Sequence, residues 1–173
     1  EEGTPYYENK RKLIFPDEDM QCDFYLQMCK RLNDLGYHHY EISNFAKKGF
    51  EAVHNLKYWN CENYLGIGPS AHSFIDGKRF FYPRSIEDFY KNKIIQDGSG
   101  GDEEEYSMLR LRLSDGLIYS EFEKRFNKPF PKKYIENAEK LKPYVIVTEK
   151  NIYFNESGFL ISNYLINKIL YGV

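Results

Sequence analysis

The feature that most constrains the fold of this chain is a long amphipathic segment. A single glycine follows it, and a strand-like segment comes directly after the glycine. Residues 17–35 begin with acidic side chains, which the helix dipole favours in a first turn. Apolar side chains then recur every four residues, at Met20, Phe24 and Met28, as on one face of an α-helix. Gly36 supplies the left-handed residue that commonly ends a helix. The pattern therefore predicts a helix over 17–35.

Residues 37–43 follow directly and are rich in strand-forming side chains. A helix, a short glycine turn and a strand form half of an αβ repeat, whose strand normally lies parallel to a preceding strand. No strand pattern precedes the helix in this sequence. We therefore expect the strand at 37–43 to present an open edge or to pair with another chain. We also expect an apolar patch on one side of residues 17–90, either exposed or covered in a dimer.

Shorter elements are predicted between this strand and residue 92. Residues 44–60 show no clean period, which indicates an irregular loop, and residues 64–69 are typical of a second strand. Apolar segments flank Asp76–Gly77, a dipeptide that favours the two-residue turn of a hairpin. Ser85 is placed to cap a short helix.

A polar, glycine-rich segment at 97–102 has the composition of a linker. It divides the chain into residues 1–96 and residues 103–173. The second part is predicted to contain helices over 102–113, from Ser120 and over 131–141, a hairpin of 145–148 with 152–154, and a last helix over 159–170. That order is the order of a winged-helix module. The predicted fold class is therefore an α/β region followed by a small α+β domain.

Composition argues against two classes of protein. The 24 Lys and Arg residues are balanced by 26 Asp and Glu residues, whereas affinity for phosphate backbones comes largely from positive charge. The helix predicted at 131–141 mixes lysines with glutamates, so it lacks the basic face of a DNA-reading helix.

The longest apolar runs are only a few residues, well short of the ~18 needed to span a bilayer. An odd number of cysteines and no signal peptide favour a reducing compartment, so we expect the cytoplasm.

Aromatic residues make up 17% of the chain. Either a bias toward AT-rich codons or a binding surface for a flat, apolar ligand explains this fraction. His54 lies beside the only tryptophan, and it is either an axial ligand of a macrocyclic iron or a residue that tethers a loop to a strand end. His72 follows a run of small residues that let a ligand approach the backbone closely.

The remaining histidines and cysteines form no recognised metal motif, since the chain contains neither HExxH nor CxxC. Cys22 and Cys29 fall on nearly one face of the predicted helix and are expected to be small buried residues. His38 and His39 are expected to be surface and packing residues of the strand.

Three motifs occur in order and at close spacing: YEISNFA at 40–46, HNLKYW at 54–59 and YLGIGPSAHS at 64–73. With these motifs the chain resembles the radical SAM proteins similar to oxygen-independent coproporphyrinogen III oxidase, and specifically their haem-chaperone branch. Shorter matches at 3–5 and 109–117 fit the later half of the same family. The resemblance covers essentially the whole chain.

The resemblance implies a partial (β/α) barrel that carries a [4Fe–4S] cluster and S-adenosylmethionine, followed by a small helical or winged-helix-like domain. In the family a CxxxCxxC motif early in the barrel holds the cluster, and this chain contains no such motif. Residues 1–96 would then be the carboxy-terminal part of the barrel. Cluster and S-adenosylmethionine would belong to a full-length parent, and this chain alone would be inactive in radical chemistry.

The resemblance also implies roles for individual residues. Ser70, Ala71 and His72 match the family segment that lines one wall of the S-adenosylmethionine pocket. His54 matches the histidine of the HNxxYW motif associated with haem binding, which makes it a candidate ligand of the haem iron. The implied aromatic neighbours of the macrocycle are Phe45, Tyr58 and Trp59.

The implied function is that of the later portion of a radical SAM protein of haem or porphyrin metabolism. Its ligand would be haem or a porphyrin, and its partners would include haem-acceptor proteins. The HNLKYW run favours haem trafficking over the oxidative decarboxylation of porphyrinogen propionates. Two alternatives from other classes are a non-catalytic haem-binding module and a winged-helix nucleic-acid binder, although the balance of charges leads us to expect no nucleic acid.

Overall fold

The computed structural model describes residues 2–172, except for the side chain of Arg11. The first residue of the predicted region 1–96 and the last residue of the predicted region 103–173 lie outside the described residues. The helices are α1 (Pro5–Glu8), α2 (Glu18–Asp34), α3 (Val53–Trp59), α4 (Ile86–Tyr90), α5 (Glu103–Arg110), α6 (Tyr119–Phe126), α7 (Lys132–Glu139), α8 (Glu156–Leu160) and α9 (Ser162–Tyr171), with a 3₁₀ turn at Lys10–Lys12. The strands are β1 (His38–Glu41), β2 (Asn44–Ala46), β3 (His72–Ile75), β4 (Lys78–Phe81), β5 (Ile95–Ser99), β6 (Leu117–Ile118), β7 (Val145–Val147) and β8 (Asn151–Phe154). Within residues 2–172 no helix has both the length and the hydrophobicity that crossing a bilayer requires.

The long amphipathic helix α2 is confirmed. The Asp17 carboxylate caps it by accepting a hydrogen bond from the Met20 backbone at 2.8 Å, and Gly36 follows its end with φ of +82°. Its apolar stripe is exposed, because Met20, Phe24 and Met28 all lie at the surface. The expected apolar patch on residues 17–90 is therefore present. Only Cys29 of this helix is fully buried.

Every strand pair in the described residues is antiparallel, in sheets of order β1–β2, β3–β4–β5 and β6–β8–β7. The strand after α2 therefore has no parallel neighbour there. Its edge away from β2 is only partly open, because the Ile42 amide donates to the Arg112 carbonyl at 3.0 Å and the Ser114 amide donates to the Tyr40 carbonyl at 3.1 Å. The segment from Arg112 to Ser114 thus covers one end of the β1 edge that we predicted to be open.

Two predictions for the middle of the chain are wrong and two are confirmed. Residues 44–60 are not an irregular loop, since they contain β2 and α3. Residues 64–69 form no strand, because only Tyr64 makes a bridge, to Phe74. The hairpin β3–β4 turns at Asp76–Gly77, whose φ angles of +49° and +76° suit a two-residue turn. Ser85 caps α4 as expected.

The predicted linker is partly regular structure. Residues 97–99 belong to β5, which pairs with β4. Cys61 and Phe74 also pack into the same hydrophobic cluster as side chains from α5 to α9. The polar, glycine-rich composition of the segment did not indicate this strand pairing. The division into residues 1–96 and residues 103–173 stays a prediction.

The elements after residue 102 occur in the predicted order, with two differences. Ser120 does not cap a helix, because α6 already begins at Tyr119, and Glu123 instead accepts a hydrogen bond from the Phe130 amide at 3.1 Å. The last predicted helix is divided at Ile161 into α8 and α9. Fully buried side chains from this region form the centre of the core: Leu111, Leu117, Phe122, Ala138, Val145, Ile152 and Ile169.

Candidate functional site

Helix α3 places the first two candidate residues on one exposed face. His54 and Tyr58 lie one turn apart, so their side chains are neighbours on the helix. The Tyr58 hydroxyl lies 2.9 Å from Nε2 of His54, and the two rings meet edge to face with centroids 4.9 Å apart. The HNLKYW motif therefore lies on a helix and not at the end of a loop. The hydrogen-bond partner of His54 is on its own helix, so His54 does not tether a loop to a strand end.

A series of ring contacts connects this face to the hydrophobic core. Tyr58 contacts Tyr64 with centroids 4.5 Å apart, and Tyr64 contacts the buried Phe74 at 6.3 Å. The Arg79 guanidinium lies 4.9 Å from the Phe74 ring, which fixes the inner end of the series. The exposed pair is thus supported by packed side chains.

Apolar side chains that precede the pair are strongly exposed. Phe50 is 82% exposed and Val53, the first residue of α3, is 69% exposed. Exposed apolar side chains close in sequence to an accessible imidazole suit a flat, largely apolar ligand. Phe45, which the resemblance placed beside the macrocycle, instead stacks on His39 with centroids 4.4 Å apart.

A groove of about 560 Å³ lies beside α3. Its lining comprises Glu41, Ile42, Ser43, Asn44, Asn55, Tyr58, Trp59 and Arg112. The Arg112 guanidinium lies 6.0 Å from the Trp59 ring centroid, and the indole Nε1 is buried without a hydrogen-bond partner. Sequence reasoning placed Tyr58 and Trp59 near a ligand. Asn55 and Arg112 lie in the matched segments 54–59 and 109–117, but sequence reasoning gave them no role.

Ser70 and Ala71 lie in the turn that leads into β3. Ser70 is exposed with φ of +64°, and its amide donates to the carbonyls of Tyr82 and Pro83. Ala71 donates to the Gly68 carbonyl and accepts from the Tyr82 amide at 3.0 Å. The backbone of this segment is thus tied to its own hairpin.

His72 begins β3 and is exposed. Its ring stacks on Phe81, with centroids 4.9 Å apart and planes 21° from parallel, and its Nδ1 lies 3.9 Å from an oxygen of Asp97. The contacts that the structure gives for His72 and His54 involve different side chains. The fold therefore presents the two imidazoles as separate surface groups.

The cysteines do not fit an iron–sulfur cluster. Burial raises the pKa of the Cys61 thiol to about 11 and also raises the pKa of the Cys29 thiol, so both stay protonated near neutral pH in the structure as described. Among residues 2–172 no three His, Cys, Asp or Glu side chains gather in a group that could hold a metal ion. The described residues therefore hold no such cluster.

Comparison with known proteins gives sequence relatives but no matching family model. The chain is 30% identical over 183 residues to the haem chaperone HemW of Lactococcus lactis, covering 98% of this chain and 48% of that protein. It is 41% identical over 126 residues to HemW of a Synechocystis species, covering 66% of this chain and 31% of that protein. The chain thus spans about half the length, or less, of these curated relatives.

A solved structure shares the fold. Coproporphyrinogen III oxidase HemN from Escherichia coli, a radical SAM enzyme, superimposes with a TM-score of 0.61 over 91% of this chain and 42% of the enzyme, at 19% identity. The structural match shows mixed helices and strands arranged as in part of that enzyme. The sequence relatives show that the chain belongs to the HemW-like radical SAM family and corresponds to the carboxy-terminal portion of its members, and the shared fold agrees with this.

Proposed function

We propose that this chain supplies the haem-binding surface of a haem-chaperone-type radical SAM protein, with haem as cargo and His54 as the ligand of its iron. The observation that carries the proposal is the exposed His54–Tyr58 pair, with the phenol oxygen 2.9 Å from Nε2. Exposed Phe50 and Val53 precede the pair in the chain. The relatives named haem chaperones supply the choice of cargo.

The hydrogen bond to Tyr58 bears on which ring nitrogen binds iron. An imidazole nitrogen coordinates a metal through its lone pair, so it must carry no proton. The partner of the other ring nitrogen decides the tautomer. When Nε2 carries the proton and donates to the phenol oxygen, Nδ1 of His54 presents its lone pair. Tyr58 is therefore proposed as the group that orients the ring.

Binding, not catalysis, is the role proposed for this chain. The described cysteines do not form a cluster site, so the groups that begin radical chemistry would belong to other parts of a full-length protein. Ser70, Ala71 and His72 are proposed as one wall of its S-adenosylmethionine pocket. The support is that this segment is held by backbone hydrogen bonds to β4 and Tyr82 while the side chains of Ser70 and His72 stay exposed.

A winged-helix-like arrangement is proposed for residues 103–172. Its support is the chain order α5, β6, α6, α7, β7, β8 together with the sheet order β6–β8–β7. Nothing favours nucleic acid as its ligand, since α7 carries glutamates beside its lysines. We also propose a cytoplasmic location, and the three free cysteines of the described residues support it. The proposed partners are haem-acceptor proteins and a second copy of the chain, which would form a dimer through β1 and the exposed stripe on α2.

Hemin titration followed by absorbance tests the proposal. We expect a Soret shift with the wild-type chain, loss of that shift in His54→Ala, and retention of binding with an altered spectrum in Tyr58→Phe. His72→Ala is the matched control, because it removes another exposed imidazole and should leave the shift unchanged. An identical shift in His54→Ala, with circular dichroism showing intact folds, would remove His54 as the ligand.

A further inference from the structure

We infer that the groove beside α3 is a carboxylate-binding subsite in which Arg112 receives an acidic group carried by the macrocycle. The inference rests on the proposed function and narrows the ligand to a porphyrin with free carboxylates, such as the propionates of haem. Two features of the groove carry it: an arginine without an acidic partner, and a direct connection to His54 through Tyr58.

Arg112 has unused hydrogen-bonding capacity. A guanidinium offers five N–H donors in a planar fork that matches a carboxylate. In the described part of the chain its only hydrogen bond runs from Nη2 to the Asn163 side chain at 3.0 Å, and no carboxylate forms an ion pair with it. The neighbouring Arg110 differs, because Gly116, Asn60 and Glu121 occupy its guanidinium.

Trp59 and Asn55 also line the groove. The indole Nε1 of Trp59 is buried and has no acceptor among the described residues, so the indole contributes its ring to the lining. The Asn55 amide adds a neutral group that can donate a hydrogen bond to a carboxylate.

The one acid in the lining does not cancel the charge of Arg112 by pairing with it. Glu41 is buried, and its Oε1 accepts hydrogen bonds from the Ser43 amide at 3.0 Å and from the Asn44 side chain at 2.5 Å. This carboxylate is thus held by its own turn. Arg112 remains the cation available to a ligand.

Tyr58 connects the groove to the proposed iron ligand. It lines the groove and also makes the 2.9 Å hydrogen bond to His54. Trp59, one residue further, presents a flat apolar ring under Arg112. A planar macrocycle whose metal lies at His54 could extend along α3 and place an acidic side group in the groove.

Fluorescence of Trp59 reads the groove directly, since it is the only tryptophan of the chain. Quenching is measured with protoporphyrin IX, which has two free carboxylates and no iron, and with its dimethyl ester. We expect the wild-type chain to bind the diacid about tenfold more tightly than the ester. Arg112→Gln should weaken binding of the diacid by about tenfold and leave the ester unchanged, while Arg112→Lys should restore part of the preference.

The control is Arg84→Gln, which removes an exposed arginine outside the groove and should leave the preference intact. Equal affinity of the wild-type chain for diacid and ester, absence of quenching by either, or equal loss of both in Arg112→Gln would each overturn the subsite. Because the probes contain no iron, His54→Ala should keep the preference. The experiment can therefore reject the carboxylate subsite while His54 remains the proposed iron ligand, and the hemin titration can reject His54 while the subsite remains.

Discussion

The regions before and after residue 102 differ in how much of their apolar surface they bury. Of the 21 buried hydrophobic side chains in the described residues, 16 lie after residue 102. The five earlier ones are Cys29, Tyr40, Ala46, Cys61 and Phe74, of which only Cys61 and Phe74 join the main core. The later region therefore supplies the scaffold, and the earlier region lies on it with large apolar faces exposed.

The proposed binding residues follow the same division. His54, Tyr58, Ser70 and His72 are exposed and lie in the earlier region, while Arg112 reaches the groove from the scaffold. Binding groups on short elements, supported by a packed core, are a common arrangement in proteins. The comparison thus predicts that substitutions of buried side chains in the later region affect stability, whereas substitutions of the exposed site residues of the earlier region, and of Arg112, affect ligand binding.

The largest effect on stability is expected at Phe122. Its side chain is fully buried and contacts the rings of Tyr106, Phe126 and Phe130, so Phe122→Ala should lower the free energy of unfolding by about 3–5 kcal/mol. The measurement is urea denaturation. The matched control is Phe24→Ala on α2, where a side chain 53% exposed should cost about 0.5 kcal/mol or less. Equal costs at the two positions would remove the distinction between the regions.

A smaller effect on the free energy of unfolding is expected at Arg79, where the two regions join. Arg79 donates two hydrogen bonds to the Glu105 carboxylate, at 2.5 and 3.1 Å, and also lies over Phe74. Arg79→Met should cost about 2 kcal/mol, since a half-buried charged group loses its partner. Lys91→Met, which removes an exposed pair with Glu87, should change stability by about 0.5 kcal/mol or less.

A double-mutant cycle checks this assignment. If the pair joins the regions, Arg79→Met and Glu105→Gln together should cost less than the sum of the two single changes. Strict additivity would show that the two side chains act independently.

The smallest expected effect is a pH dependence at His39. Burial lowers the pKa of this imidazole below its ordinary value. The unfolded chain therefore takes up the proton first as pH falls, so this contribution to stability is present above the unfolded pKa of about 6.5 and is lost below it. His39→Phe, which keeps a ring against Phe45, should lose less stability than the wild type between about pH 7.5 and pH 5.5. An NMR titration with a His39 midpoint at or above about 6.5 would contradict the assignment.

Local chemistry in the sequence was enough to predict some elements. Asp17 and Gly36 mark the ends of α2, and Asp76–Gly77 marks the turn of the β3–β4 hairpin, because each of these residues acts through its immediate neighbours. Helix α3 was not predicted. It is short, and Ala52 before it gives no side-chain cap, so its stability depends on contacts with residues distant in sequence, such as that between Trp59 and Arg112.

The same limit applies to the site. His54 and Tyr58 were found through a motif, but the groove was not, since Arg112 lies 53 residues after Trp59 and only the fold brings them together. Gly66 begins the run of small residues before His72 that was expected to let a ligand approach the backbone. A Cβ there would lie 2.3 Å from the His72 carbonyl oxygen, so the glycine is required by the chain's own packing.

Hydrogen–deuterium exchange with and without hemin tests the central claim, that a ligand surface on α3 is carried by the core of the later region. Without ligand, amides of α5–α9 should exchange more slowly than those of α2. Addition of hemin should slow exchange at residues 53–59 and leave β3 and β4 unchanged. Protection of α2 equal to that of α9, or a response to hemin confined to β3 and β4, would contradict the account.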